Sequence, residues 1–338
     1  MRSGLGCSRN ESSSTVPTNA PEDITWALTN GSIVNLDAPY EIDAVEALAR
    51  NWVGNPLQVG VRCNFDIGVD QVSRFGFDID GETFEPALQR LERLANVELA
   101  GLHCHFLVPQ KRAEPYAIMA ERMIGLAQGR LSHHGLRFID LGGGYFSRMT
   151  PALQQQFGHA VPTFADYAAR MAPQFAAAFP QGGPEMLLEP GIALVADTMH
   201  FAARVIETKR VRGHQTALVG GSIYDIKPTL NTKNLPATLV MSPSARGVAL
   251  PGPVDLVGYT CMEHDCLYRD FPMSPAPGDF VVFSNVGAYT VVLKPPFIMP
   301  ATAIIEHDAG GNPRAVLKRR DDMSDVFQNF AFEVVQEV

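Results

Sequence analysis

The feature that most constrains this chain is a change of period near Gly191. Before it, short apolar runs alternate with segments whose apolar residues recur every three or four positions. After it the helical period disappears, and runs rich in Val, Ile, Thr and aromatics are separated by Pro and Gly. Strand–helix alternation implies a parallel sheet, because parallel neighbours need a long crossover rather than a hairpin. Strand-only sequence with turn residues between the runs implies mainly antiparallel pairing. The expected fold is therefore α/β, a βα-barrel or a doubly wound sheet, followed by a mainly antiparallel β-domain.

In the first part, strands are expected at 32–36, 57–62, 97–106, 136–141 and 186–188. Helices are expected at 40–52, 84–94, 113–131 and 164–179. Ile42, Val45, Leu48 and Ala49 share one helical face, and Leu88, Leu91 and Leu94 share another. In the second part, strands are expected at 201–208, 217–220, 254–260, 280–283, 288–293 and 301–306. These runs divide the chain into a disordered leader (1–23), a barrel-type domain (24–195) and a β-domain (196–338). The polar N-terminus, residues 1–20, has no apolar core of a signal peptide, and its Ser-rich stretch at 12–14 matches no barrel strand.

Hydrophobic residues make up 46% and charged residues 19%, as in a globular protein with a substantial core. The net charge of −9 and the absence of a basic cluster argue against nucleic acid as a partner. No apolar run reaches the ~18 residues of a membrane helix. The five cysteines, Cys7, Cys63, Cys104, Cys261 and Cys266, form no CxxC pair, so neither a structural zinc site nor a disulfide framework is expected. Reduced thiols in a cytoplasmic protein are the simplest reading.

Three strand ends carry candidate chemistry. Asp140-Leu141-Gly142-Gly143-Gly144-Tyr145 closes a strand on glycines that can turn backbone N–H groups toward a phosphate; the plain alternative is a tight turn. Gly101-Leu102-His103-Cys104-His105 puts two histidines on one face of a strand. They read as core histidines, as an imidazole stacked on an aromatic cofactor or, ranked last for want of further ligands, as an HxH metal site. Leu188-Glu189-Pro190-Gly191 ends a strand on a carboxylate, which can serve a protonated ring nitrogen or simply a loop.

In this order, together with SRFGF at 73–77, GYTCMEHD at 258–265 and GDFVVF…GAYT at 278–290, the set resembles the ornithine and diaminopimelate decarboxylases. These are pyridoxal-phosphate (PLP) enzymes of fold type III, and the resemblance runs over residues 24–310. It implies an alanine-racemase-like (β/α)8 TIM-type barrel, here without its first elements, then the β-domain. It implies that His105 stacks on the cofactor, that Gly142, Gly143 and Gly144 hold its phosphate, and that Glu189 pairs with the pyridine nitrogen. Tyr289 would touch the phosphate and Arg62 would lie near the ring. Cys261 would act after CO2 leaves, in the partner's site of a head-to-tail homodimer. Asp265 and Lys227 would bind the amino-acid substrate, Lys227 through a distal carboxylate unless it is a surface lysine. No metal is implied.

The family also carries its cofactor on a lysine near the start of the barrel. The six lysines here are Lys111, Lys209, Lys227, Lys233, Lys294 and Lys318, none of them early enough. The expectation is an incomplete version of a longer protein. Val108 stands where the resemblance leads to a phosphate-binding Ser region, and Ile192 where it leads to Arg. Two further readings accompany the decarboxylase: a non-catalytic homologue that binds a partner, and a metal-dependent barrel hydrolase using the HxH pair. A racemase is a variant of the first.

Overall fold

A computed structural model describes residues 13–14, 18–245 and 249–331. The chain divides into two compact units, one of residues up to Phe146 plus His159–Ala193, the other of Ser147–Gly158 plus residues from Leu194 onward.

The first unit runs β1 (Ser13–Ser14), α1 (Pro21–Thr29), β2 (Ile33–Leu36), α2 (Pro39–Ala49), β3 (Leu57–Asn64), β4 (Phe77–Asp78), α3 (Phe84–Glu92), β5 (Val97–His103), α4 (Glu114–Gln128) and β6 (Phe138–Gly143). The chain then gives α5 (Pro151–Gln155) to the second unit before α6 (Phe164–Ala178) and β7 (Glu185–Glu189), and the division between the units falls within α7 (Gly191–Val195). The strands pair in the order β1-β2-β3-β5-β6-β7, with β4 on β3, and every pair is parallel. This is the strand–helix alternation of the barrel type.

The local sequence explains the elements. β2, β3, β5 and β6 are almost wholly buried, as strands covered on both faces must be. α2 turns Ile42, Val45 and Ala49 inward, and Glu41 in its first turn reaches back to the N–H groups of Asp37 and Ala38. α6 opens with a reciprocal Thr163–Asp166 cap and buries Tyr167, Met171 and Phe175. The helix expected to reach 131 stops at Gln128 because Gly129 caps it.

The leader expectation needs correction in two places. Ser13–Ser14 pairs with β2, and α1 begins at Pro21, anchored by buried Ile24 and Leu28 one helical turn apart. Residues 1–12 and 15–17 of that leader lie outside the described residues.

The second unit contains β8 (Phe201–Val211), β9 (His214–Val219), α8 (Ile223–Ile226), β10 (Ala237–Val240), β11 (Val254–Val257), β12 (Cys266–Phe271), β13 (Phe280–Phe283), β14 (Ile304–His307), β15 (Pro313–Lys318) and α9 (Met323–Phe327). Six strands form one sheet in the order β10-β13-β8-β9-β11-β12, antiparallel except for β9 with β11. Ala203, Val205, Val219, Leu256, Phe271, Val281 and Phe283 fill its core. β14 and β15 make a separate hairpin. The strand expected at 288–293 is a turn instead. Val292 N and Leu293 N both donate to Tyr289 O, at 3.1 and 2.9 Å, which closes the backbone on itself.

Candidate cofactor site at the strand ends

Parallel strands gather their C-terminal ends on one edge of a sheet, and ligands of such folds bind there. On this edge stand Asp37 just after β2, Arg62 in β3, His103 and His105 at and beyond the end of β5, Gly142–Gly144 at the end of β6, and Glu189 at the end of β7.

Register brings the first pair together. Leu36 is level with Val61, so the next residues, Asp37 and Arg62, are neighbours. Arg62 Nη1 lies 3.0 Å from Asp37 Oδ1, and its other arm donates to His105 O at 3.3 Å. Asp37 Oδ1 also accepts from Gly76 N at 3.1 Å. Burial pushes the Asp37 carboxyl above its ordinary range, and the Arg62 guanidinium opposes that shift. Arg62 therefore fixes the backbone that presents His105.

The strand expected at 97–106 ends at His103, so His105 stands just beyond it, yet both rings come near the same carboxylate. Glu189 Oε2 lies 3.6 Å from His103 Nε2 and 3.4 Å from His105 Nδ1. The two rings differ in access. His103 is 1% exposed, with neither ring nitrogen hydrogen-bonded among the described residues, whereas the His105 side chain is 41% exposed and that of Glu189 29%. A ligand arriving at this edge meets His105 and Glu189 first, with His103 and Asp140 beneath. Burial raises the Asp140 carboxyl, opposed by a 2.8 Å bond from Gly142 N and by the nearby His103.

The glycines are needed first by the protein itself. A Cβ on Gly142 would lie 2.6 Å from Cys104 O, and one on Gly143 would lie 2.2 Å from Glu189 O. The Gly142 N–H is taken by Asp140, and the Gly143 N–H donates to His105 Nδ1 at 3.1 Å. Gly144, at φ +95°, is the exposed member of the three.

The ligand atoms of His103, Asp140 and Glu189 lie within 4.8 Å of one another, as do those of Glu92, His133 and His134. In the second group Arg130 already occupies Glu92 at 2.8 Å, which disfavours a further cation.

The remaining candidates belong to the second unit. Cys261 is an exposed free thiol. Tyr289 is half-exposed and held at φ +67°, a region that non-glycine residues rarely occupy. Asp265 corrects an expectation. It is 3% exposed, with Oδ1 accepting from Ser222 Oγ (3.1 Å) and Ile223 N (2.7 Å) and Oδ2 from Thr260 N (3.0 Å). Its oxygens tie two loops together rather than face a substrate. Lys227 is likewise buried, its Nζ donating to Lys233 O at 2.9 Å, so it is neither a surface lysine nor an open carboxylate receptor. Desolvation lowers its pKa.

Sequence reasoning did not single out Asp37, whose signal was its place directly after a strand neighbouring that of Arg62. Nor did it find Lys294, whose Nζ lies 2.8 Å from Asp225 Oδ1 in a buried pair, close in distance but off the line of a hydrogen bond.

Residues 11–196, more than half of the chain, match the family described as pyridoxal-dependent decarboxylase, pyridoxal binding domain. The diaminopimelate decarboxylase of Pseudomonas aeruginosa is 26% identical over 288 residues, 81% of this chain. The chain spans 64% of that enzyme's length. The diaminopimelate decarboxylase of M. jannaschi shares the fold at a TM-score of 0.79, with 16% identity over 96% of this chain and 75% of that one. A point mutant of the Helicobacter pylori diaminopimelate decarboxylase, solved with L-lysine, gives a TM-score of 0.73 with 20% identity over 91% and 76%. With the strand-end histidines, glycines and glutamate in place, the chain belongs to the pyridoxal-dependent decarboxylases.

Proposed function

We propose that this chain carries the cofactor-binding residues of a PLP-dependent decarboxylase acting on a diamino acid of the diaminopimelate or ornithine type. One observation carries the reading: two imidazoles within 3.6 Å of one carboxylate, beside a glycine turn, on the ligand-binding edge of a parallel sheet. The residues fit the cofactor. An accessible carboxylate suits a pyridinium, an accessible flat imidazole suits its ring, and exposed Gly144 leaves an approach for a phosphate.

When bound, the cofactor supplies an electron sink for the pair released as CO2 departs. Glu189 is the group that keeps a proton on the pyridine nitrogen. His105 supports the ring and is itself held by Arg62 through its carbonyl. Gly142 and Gly143 are bonded inward and shape the turn that offers Gly144 to the phosphate. Cys261 is the group to return a proton to the α-carbon, in the partner's site of a head-to-tail homodimer. The exposed Cys261 thiol, with Cys63, Cys104 and Cys266 also unpaired, supports a reducing compartment such as the cytoplasm. Among the described residues no helix is long and apolar enough to cross a membrane.

The test is release of labelled CO2 from carboxyl-labelled diaminopimelate, ornithine, arginine and lysine with PLP supplied. It is run on the chain as encoded and on a version extended upstream in its reading frame. Borohydride reduction and peptide mapping then locate any lysine holding the cofactor. The expected result is turnover of one diamino acid and a loss of about 100-fold or more in Glu189→Gln. A protein that binds PLP yet releases no CO2 from any of the four is a non-catalytic homologue, and the reading fails.

A further inference from the structure

We propose that Lys111 is the cationic partner of the phosphate group at the Gly142–Gly144 turn. This rests on the PLP reading above and adds a residue to it. Lys111 is the single lysine of the first unit. Its Nζ donates to the carbonyl of Tyr145, the residue after Gly144, at 3.3 Å, and lies 5.2 Å from the Phe146 ring centroid. The ammonium is thus beside the glycine turn.

Three observations say that an anion belongs there. First, the turn is short of donors. The Gly142 and Gly143 N–H groups are spent on Asp140 and His105, so a phosphate dianion needs help beyond the glycines. Second, the other cation on this edge, Arg62, is committed to Asp37 and His105 O. Third, Lys111 is partly buried, and among the described residues it makes no ion pair with a carboxylate. A desolvated cation without a counterion is unfavourable until an anion arrives.

The backbone is shaped to present it. Gln110 and Lys111 have φ of +55° and +48°, two successive non-glycine residues in the left-handed region. That costs energy, and such outliers persist where the surroundings fix them. Here Lys111 N donates to Val108 O at 3.0 Å, and the Tyr167 hydroxyl donates to Lys111 O at 2.5 Å. Burial lowers the ammonium's pKa, and a bound phosphate would restore it.

The experiment uses ligands that cannot react with lysines: 4′-deoxypyridoxine 5′-phosphate and its unphosphorylated form, titrated calorimetrically into wild type, Lys111→Met and Lys111→Arg. Wild type should favour the phosphorylated ligand, and inorganic phosphate should compete with it. Lys111→Met should lose about 10- to 100-fold in affinity for the phosphorylated ligand alone, the worth of a charge-assisted hydrogen bond. Lys111→Arg should recover most of it. Thermal melts confirm folding, and Lys111→Gln is read the same way if the Met variant does not melt cooperatively. A folded Met or Gln variant that keeps its phosphate preference within about twofold overturns the role of Lys111 and leaves the PLP reading standing. A wild type with no phosphate preference overturns both.

Discussion

Gly143→Ala and Gly125→Ala are the same chemical change with opposite expected outcomes. At Gly143 the backbone is not in the left-handed region, so the cost is steric. The new Cβ would lie 2.2 Å from Glu189 O, roughly 1 Å short of an ordinary carbon–oxygen contact. The obstacle is a backbone carbonyl, which no rotamer change removes, so β7 must shift away from β6. Overpacking of this kind costs about 1–3 kcal/mol. Weakening the Gly143 N–H bond to His105 adds about 1 kcal/mol, for a total loss of roughly 2–4 kcal/mol. Gly125 lies on the exposed side of α4 with nothing within 4 Å of a new Cβ, so alanine there should stabilise by about 0.5–1 kcal/mol. The chain's two tryptophans, Trp26 and Trp52, both belong to the first unit, so urea unfolding followed by their fluorescence reports that unit. Equal midpoints for Gly143→Ala and wild type would refute the argument that β6 and β7 approach too closely there for any side chain.

Asp140→Asn should raise stability at neutral pH. Burial raises the folded carboxyl's pKa, so ionisation of Asp140 destabilises the fold as pH rises from the unfolded value of about 3.8 through the folded one. The gain over wild type should shrink toward zero in acid, and a gain that grows on acidification would contradict the assignment. For the cysteines, a thiol reagent should find Cys261 fast in the native protein. It should reach Cys63 and Cys104 only on unfolding, because burial both covers them and raises their pKa. Cys261→Ser should remove a fast equivalent, and an unchanged fast count would show that Cys261 is covered in solution.

The first unit was legible because its strands are near-continuous apolar runs and its helices have single apolar faces, as β3 and α2 show. The nearness of His103 and His105 in sequence already kept them together, although the strand expected to carry both ends at His103. Burial of polar groups was not legible. Asp265 and Lys227 sit in stretches that read as open loops, yet Asp265 is held by Ser222 from 43 residues away and Lys227 by the carbonyl of Lys233 six residues on. The run at 288–293 has strand composition. Its turn depends on Tyr289 adopting a positive φ, a choice that composition does not encode. Asp37 needed register, which appears only once β2 and β3 are paired.

The interposed segment Ser147–Gly158 has a practical consequence. It leaves the first unit after Phe146 and returns at His159, yet Leu153 within it packs in the core of the second unit. A single scission at residues 193/194 would therefore not yield two self-sufficient pieces. The N-terminal piece would carry a stretch evolved to pack elsewhere, and the C-terminal piece would lack part of its interior. Dissecting this protein, or grafting its β-domain onto another barrel, requires moving α5 along with it.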